Sequence, residues 1–171
     1  KKKYSHVILM NEVNNFCALY RWYNSNSVMI LYQLLQFCQI ASGFSVSEDN
    51  QLLAYGVDEV SRRQYTIYVK NLATGETYKD AIANTEGFAC WANDNKTFFY
   101  TSKNDVTLLS EKIKRHTLGS DAKADVVVYD EKDKSNYIGI SKSKNNQFIF
   151  IYSGATLSTE LRMINANEPM A

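Results

Sequence analysis

The sequence predicts an all-β fold, a partial β-propeller of about three blades built from antiparallel four-stranded sheets, and three observations carry that prediction. A short motif recurs: SEDNQLLAY (Ser47 to Tyr55), ANDNKTFFY (Ala92 to Tyr100) and SKNNQFIFI (Ser143 to Ile151) align on Asn50, Asn95 and Asn146. Each is a polar turn followed by an apolar and aromatic run. The spacings are 45 and 51 residues, and a period of about 40 to 50 residues that holds several short strands is the signature of propeller blades. The runs between the motifs alternate with period 2. From Gln64 to Leu72, Tyr65, Ile67 and Val69 face one way and Thr66, Tyr68 and Lys70 the other. Composition agrees, with 13% aromatic residues, twelve Tyr, eight Phe and one Pro in 171 residues.

Residues 1 to 42 fit this grammar least. Tyr4 to Val13 reads as an edge strand. Val28 to Ile40 is apolar except for Gln33, Gln36 and Gln39; glutamines three apart stay near one side of a helix, and a buried strand fits the same run. It is shorter than the roughly 20 residues that a membrane span needs. Lys1 to Lys3 followed by Val7 to Met10 has the outline of a signal sequence, but the apolar run is short and no small-residue cleavage site follows.

The first blade is expected over about 43–87. Phe44 and Val46 alternate with Ser45 and Ser47, the turn falls at Glu48-Asp49-Asn50, and strands follow at Leu52 to Tyr55, Gln64 to Leu72 and Tyr78 to Ile82. Gly75 closes the turn before the last of these. The second blade, about 88–135, takes Phe88 to Trp91, Thr97 to Ser102, Lys112 to Leu118 and Val126 to Tyr129. The third, 136–171, takes Tyr137 to Ile140, Phe148 to Tyr152 and Leu161 to Asn165, without a fourth strand. A propeller closes with about 4 to 8 blades. Such an arc leaves sheet faces and edges uncovered, so the chain is expected to belong to a longer polypeptide and, isolated, to self-associate through its open edges.

Nineteen basic and eighteen acidic residues leave a net charge of +1, which gives no whole-chain electrostatic case for nucleic acid or an anionic membrane surface. Three cysteines, Cys17, Cys38 and Cys90, are an odd number without C-x-x-C spacing. That argues against a disulfide framework or a zinc site and points to a reducing, cytoplasmic setting. No cofactor is expected.

Several residues are candidates for a role beyond packing. Arg62 and Arg63 lie in the turn between two strands, where guanidinium groups suit carboxylate recognition; the plainer reading is a pair of solvated turn charges. His116 and His6 lack partners with ligand spacing, so a packed or hydrogen-bonded histidine is expected at each and no metal is assigned. Asp130, Glu131 and Asp133 alternate with Lys132 and Lys134 without calcium-loop spacing, and are expected to form a solvated loop. Trp91 and Phe98 to Tyr100 are expected to fill the space between blades.

One set of strings carries more than its fold. Leu53-Ala54-Tyr55, Ser61-Arg62-Arg63-Gln64-Tyr65, Asn71-Leu72-Ala73-Thr74-Gly75-Glu76, Trp91-Ala92-Asn93-Asp94, Arg115-His116, Val128-Tyr129-Asp130-Glu131-Lys132-Asp133 and Ser158-Thr159-Glu160-Leu161-Arg162 resemble, in order and spacing, the propeller of the oligopeptidase B (protease II) branch of the prolyl oligopeptidase family of serine peptidases. The resemblance covers residues 43 to 165. It implies a seven-bladed propeller that caps an α/β-hydrolase domain, admits small peptides to a Ser-Asp-His triad and excludes folded proteins, in enzymes that cleave after Arg and Lys. It also implies that Arg62 and Arg63 lie toward the hydrolase domain, where they meet its carboxylates or a peptide's. No catalytic residue is assigned to this chain: the strings Gly43 to Ser47 and Gly139 to Ser143 lack the second glycine of a G-x-S-x-G elbow. The competing expectation is a non-enzymatic propeller used as a protein-interaction scaffold.

Overall fold

The computed structural model describes residues 41–59 and 61–170. The strand expected over Tyr4 to Val13, the helix or strand over Val28 to Ile40, His6, Cys17 and Cys38 lie outside the described residues. Those residues form ten strands and one short 3-10 turn, in the order β1 Ala41–Val46, β2 Leu52–Val57, β3 Tyr65–Asn71, β4 Thr77–Trp91, β5 Thr97–Lys103, β6 Ser110–Thr117, the turn Ala122–Ala124, β7 Val126–Asp130, β8 Tyr137–Lys142, β9 Phe148–Gly154 and β10 Thr159–Asn165. Strands β1 to β7 hydrogen-bond in sequence order, β8 to β10 form a second sheet, and each pairing is antiparallel.

The seven-stranded order is two blades that share one strand. Tyr78 to Ile82 and Phe88 to Trp91 were expected as separate strands; they are the two ends of β4, 15 residues long. Its first part pairs with β3, from Lys70 opposite Thr77 to Tyr65 opposite Thr85. Its last part pairs with β5, from Ala89 opposite Tyr100 to Trp91 opposite Phe98. Between them Asn84 (φ 57) and Gly87 (φ 84) take left-handed conformations, which turn the chain from the outer strand of one blade to the inner strand of the next. The buried Thr85 hydroxyl holds the bend, donating to the Tyr65 carbonyl at 2.9 Å and accepting from the Gly87 N–H at 3.0 Å. Side chains are excluded here because Gly56 and Gly43 lie against Gly87: a Cβ on Gly56 would meet the Gly87 Cα at 2.4 Å.

The repeated motif has a single physical basis. Asn50, Asn95 and Asn146 sit at φ 59, 57 and 58, the left-handed conformation that asparagine tolerates better than other side-chain-bearing residues. The residue before each closes an Asx turn onto the backbone N–H two residues on: Asp49 to Gln51 at 3.1 Å, Asp94 to Lys96 at 3.0 Å and Asn145 to Gln147 at 3.2 Å. In the first and third motifs the opening serine then accepts the N–H that starts the next strand, Leu52 to Ser47 and Phe148 to Ser143. The second motif opens with Ala92, and Asp94 does that work instead by accepting from the Thr97 N–H at 2.8 Å and its hydroxyl at 2.7 Å.

The middle blade presents two apolar faces and therefore gives the described residues two inter-blade cores. Ala89, Trp91, Phe98 and Tyr100 pack with Leu52, Ala54, Ile67, Val69 and Ile82 of the first blade. Cys90, Ala92, Phe99 and Ile113 pack with Ile138, Ile140, Ile149 and Ile151 of the third. Trp91 and Phe98 to Tyr100 thus fill inter-blade space as expected, with Trp91 edge-on to Phe98 at 5.0 Å and its indole N–H donating to the Ser45 carbonyl at 3.1 Å.

Candidate functional site

Antiparallel connection places successive loops on alternate ends of the strands. The three Asn turns lie at one end; the β2–β3 loop, the β4 bend, and the β5–β6 and β7–β8 loops lie at the other. At this second end Arg62, Arg63, Lys103, Lys134, Glu86, Tyr137 and Tyr152 are among the residues that line a cleft of about 830 Å³.

The arginine loop is built around Asp58. Its buried carboxylate accepts the backbone N–H groups of Arg62 and Arg63 at 3.3 and 2.7 Å, which fixes a tight loop with Ser61 and Arg63 in left-handed conformations at φ 56 and 59. That non-glycine strain is held by the carboxylate. Both arginine side chains are left exposed. Lys103 tethers the loop to the second blade: its ammonium donates to the Arg63 carbonyl at 2.6 Å and pairs with Glu86 at 3.3 Å, and Glu86 also accepts from the Ser110 hydroxyl. Among the described residues no carboxylate lies within ion-pair distance of Arg62, Arg63 or Lys134, so the cleft wall, in which Glu86 is matched to Lys103, carries a net positive charge.

The sequence pointed to Arg62 and Arg63 alone. Lys103, Glu86, Lys134, Tyr137 and Tyr152 join them only through the blade geometry. The motif offset held one signal: Lys103 lies eight residues past Asn95, as Asp58 lies eight past Asn50, so both occupy the same end of their blades.

The acidic stretch after β7 differs from the solvated loop expected of it. Asp133 is exposed and Asp130 pairs with exposed Lys132, but Glu131 organises the connection between the second and third blades. Its carboxylate accepts from the Ser153 hydroxyl of β9, the Tyr129 hydroxyl at 2.7 Å, the Asp133 N–H at 2.9 Å and the Asn136 amide at 3.3 Å. The Ser153 bond foremost, with the others, holds its pKa down to about 2. The Arg162 guanidinium stacks 4.4 Å over the Tyr129 ring, joining the same seam from β10.

His116 is fully buried between carboxylates, Nδ1 at 2.7 Å from Asp125 and Nε2 at 3.3 Å from Asp80, a hydrogen-bonded histidine as its sequence context suggested. Cys90 is a free, buried thiol whose pKa burial pushes up to about 12, leaving it protonated and unreactive. The strings Gly43 to Ser47 and Gly139 to Ser143 run into and through strands β1 and β8 and their following turns. Among the described residues no helix is long and apolar enough to cross a membrane.

Comparison with known proteins places these features. A family model described as the prolyl oligopeptidase N-terminal β-propeller domain matches residues 36–171. The chain is 46% identical over 126 residues to dipeptidyl aminopeptidase BI of Pseudoxanthomonas mexicana, covering 74% of this chain and 17% of that protein. It is 34% identical over 128 residues to Protease 2 of Moraxella lacunata, covering 74% and 18%. Among solved structures, oligopeptidase B from Leishmania major superposes with a TM-score of 0.70 at 24% identity over 80% of this chain and 19% of that one. The chain spans under a fifth of the length of each of these proteins.

Proposed function

The chain belongs to the prolyl oligopeptidase N-terminal β-propeller family, and from that premise we propose that it is the access-controlling part of a cytoplasmic serine peptidase, docked on an α/β-hydrolase domain that carries the Ser-Asp-His triad. The observation that carries this reading is the cleft at one end of the blades. It is rimmed by Arg62, Arg63 and Lys134, which have no described counterion, and its arginine loop is held rigid by Asp58. Guanidinium forks fixed at a rim suit carboxylates of a second domain or of a peptide. A ring of blades above a reaction centre passes an extended peptide and rejects a folded protein by size. In this reading the chain supplies no catalytic group; it positions and filters.

The substrate reading is a peptide cleaved after Arg or Lys, in line with the similarity to Protease 2. A second reading, release of dipeptides, is favoured by the higher identity to dipeptidyl aminopeptidase BI. Assays of the full-length protein separate them: an amino-blocked peptide with an internal arginine reports the first activity, and an unblocked dipeptide with a chromogenic leaving group reports the second. A protein that turns over neither would be the non-enzymatic scaffold. Arg63→Ala in the full-length protein tests the docking role. It is expected to raise the radius of gyration and alter KM; unchanged kinetics with unchanged scattering would overturn that role.

A further inference from the structure

We propose that His116 is a proton-dependent clasp between the first two blades: its charged ring joins Asp125 of its own blade to Asp80 of the neighbouring one, and loss of one ring proton releases the link between blades. Geometry carries this. His116 stands on β6 with no exposed surface, and both ring nitrogens lie against carboxylate oxygens, at 2.7 and 3.3 Å. An ionised carboxylate only accepts hydrogen bonds, so both contacts are satisfied together only when both nitrogens carry protons. Asp80 belongs to the outer half of β4, in the first blade, and also accepts the Gly119 N–H at 2.5 Å. Asp125 follows the 3-10 turn of the second blade and takes the Tyr100 hydroxyl at 2.7 Å.

The charged and titratable groups facing the ring therefore come from three elements: Asp125, Tyr100 of β5 through Asp125, and Asp80 of β4. On β6 itself Lys114 lies two residues back on the same side, opposite Tyr100, while Phe98 packs on the ring at 5.0 Å. Burial opposes the charged ring, but the hydrogen bonds and charges of Asp125 and Asp80 outweigh it and raise the proton affinity above its ordinary value. When the ring loses a proton, the neutral imidazole keeps one donor. The shorter contact to deeply buried Asp125 retains it, and the longer contact to Asp80 becomes a lone pair facing a carboxylate. The bond within the blade survives, and of the two bonds that Asp80 makes to the second blade the histidine's is lost while the Gly119 N–H remains. The device follows from the fold alone and is independent of the peptidase reading.

The test uses the full-length protein that carries this chain. Deuterium exchange at the imidazole C2 position, read by mass spectrometry across pH, gives the titration midpoint of His116. Amide exchange over 77–85 and 117–120 reports the joint, with 148–154 of the third blade as reference. The expected midpoint lies above 6.5, and exchange at the joint, relative to the reference, accelerates as pH rises through it, by about tenfold for each unit of elevation. In Asp80→Asn the midpoint falls and the pH dependence at the joint disappears. A wild-type midpoint at or below 6.5 would overturn the proposal. So would a raised midpoint with joint exchange indifferent to the ring's titration, and that result needs no variant to fold.

Discussion

At the scale of single residues, the backbone conformation of three asparagines is the most informative feature of the chain. A left-handed conformation costs an ordinary L-residue about 1 to 2 kcal/mol, so Asn50→Ala is expected to destabilise by about 1 kcal/mol while Asn50→Gly stays near neutral, as denaturant unfolding will show. These positions were legible because the same conformational demand selects the same residue type in each blade. Glu131 was not. Its partner Ser153 comes from β9, 22 residues on, and nothing in the string Asp130 to Asp133 separates it from its solvated neighbours. Because its folded pKa is depressed from 4.5 to about 2, its contribution is present above pH 4.5 and is lost as pH falls towards 2. Glu131→Gln is expected to flatten the stability curve in that window at a cost of about 1 kcal/mol near neutrality, since solvent screens part of the bonding. His116 has the opposite sign. With its folded value raised, its contribution is full below 6.5 and is lost as pH rises through that raised value.

At the scale of elements, alternation marked β3, where Ile67 and Val69 are buried and the residues between and around them are partly exposed; β5 was marked instead by a continuous apolar run, because it is buried on both faces, and β7 by its β-branched residues, since none of its side chains is buried. Alternation failed at β4. Tyr78 to Ile82 and Phe88 to Trp91 look like two strands because the bend at Asn84 and Gly87 interrupts the pattern, while ladder pairing passes through it. The close approach of Gly43, Gly56 and Gly87 is equally invisible in sequence, since it is a contact between backbones far apart in the chain. It yields a sharp expectation. Gly56→Ala places a methyl 2.4 Å from the Gly87 Cα, and overpacking of this kind costs about 1 to 3 kcal/mol. The same substitution at Gly75, where nothing lies within 4 Å, should cost only the strain of its positive φ. A thermal shift at Gly56→Ala no larger than at Gly75→Ala would contradict the account of the bend. The cleft shows the same limit: a turn announces its arginines, but which lysines and tyrosines share its rim is decided by how blades stack.

At the scale of the whole molecule, the three blades of the described residues leave one apolar sheet face exposed. On the face of the third blade turned away from the second, register places Phe150 opposite Met163 and Tyr152 opposite Leu161, with Tyr152 at 42%, Leu161 at 59% and Met163 at 65% exposure. The opposite face, Ile138, Ile140, Ile149 and Ile151, is buried against the second blade. An apolar sheet face of this size seeks cover, so the isolated 171-residue chain is expected to elute as concentration-dependent oligomers in sizing with light scattering. A monodisperse monomer at high concentration would count against that. The most direct test of the propeller account is a crystal or cryo-EM structure of the full-length protein, examined at this face. The account predicts Phe150, Tyr152, Leu161 and Met163 buried beneath a following four-stranded antiparallel sheet. The same residues left in solvent, or covered by a helix, would contradict it.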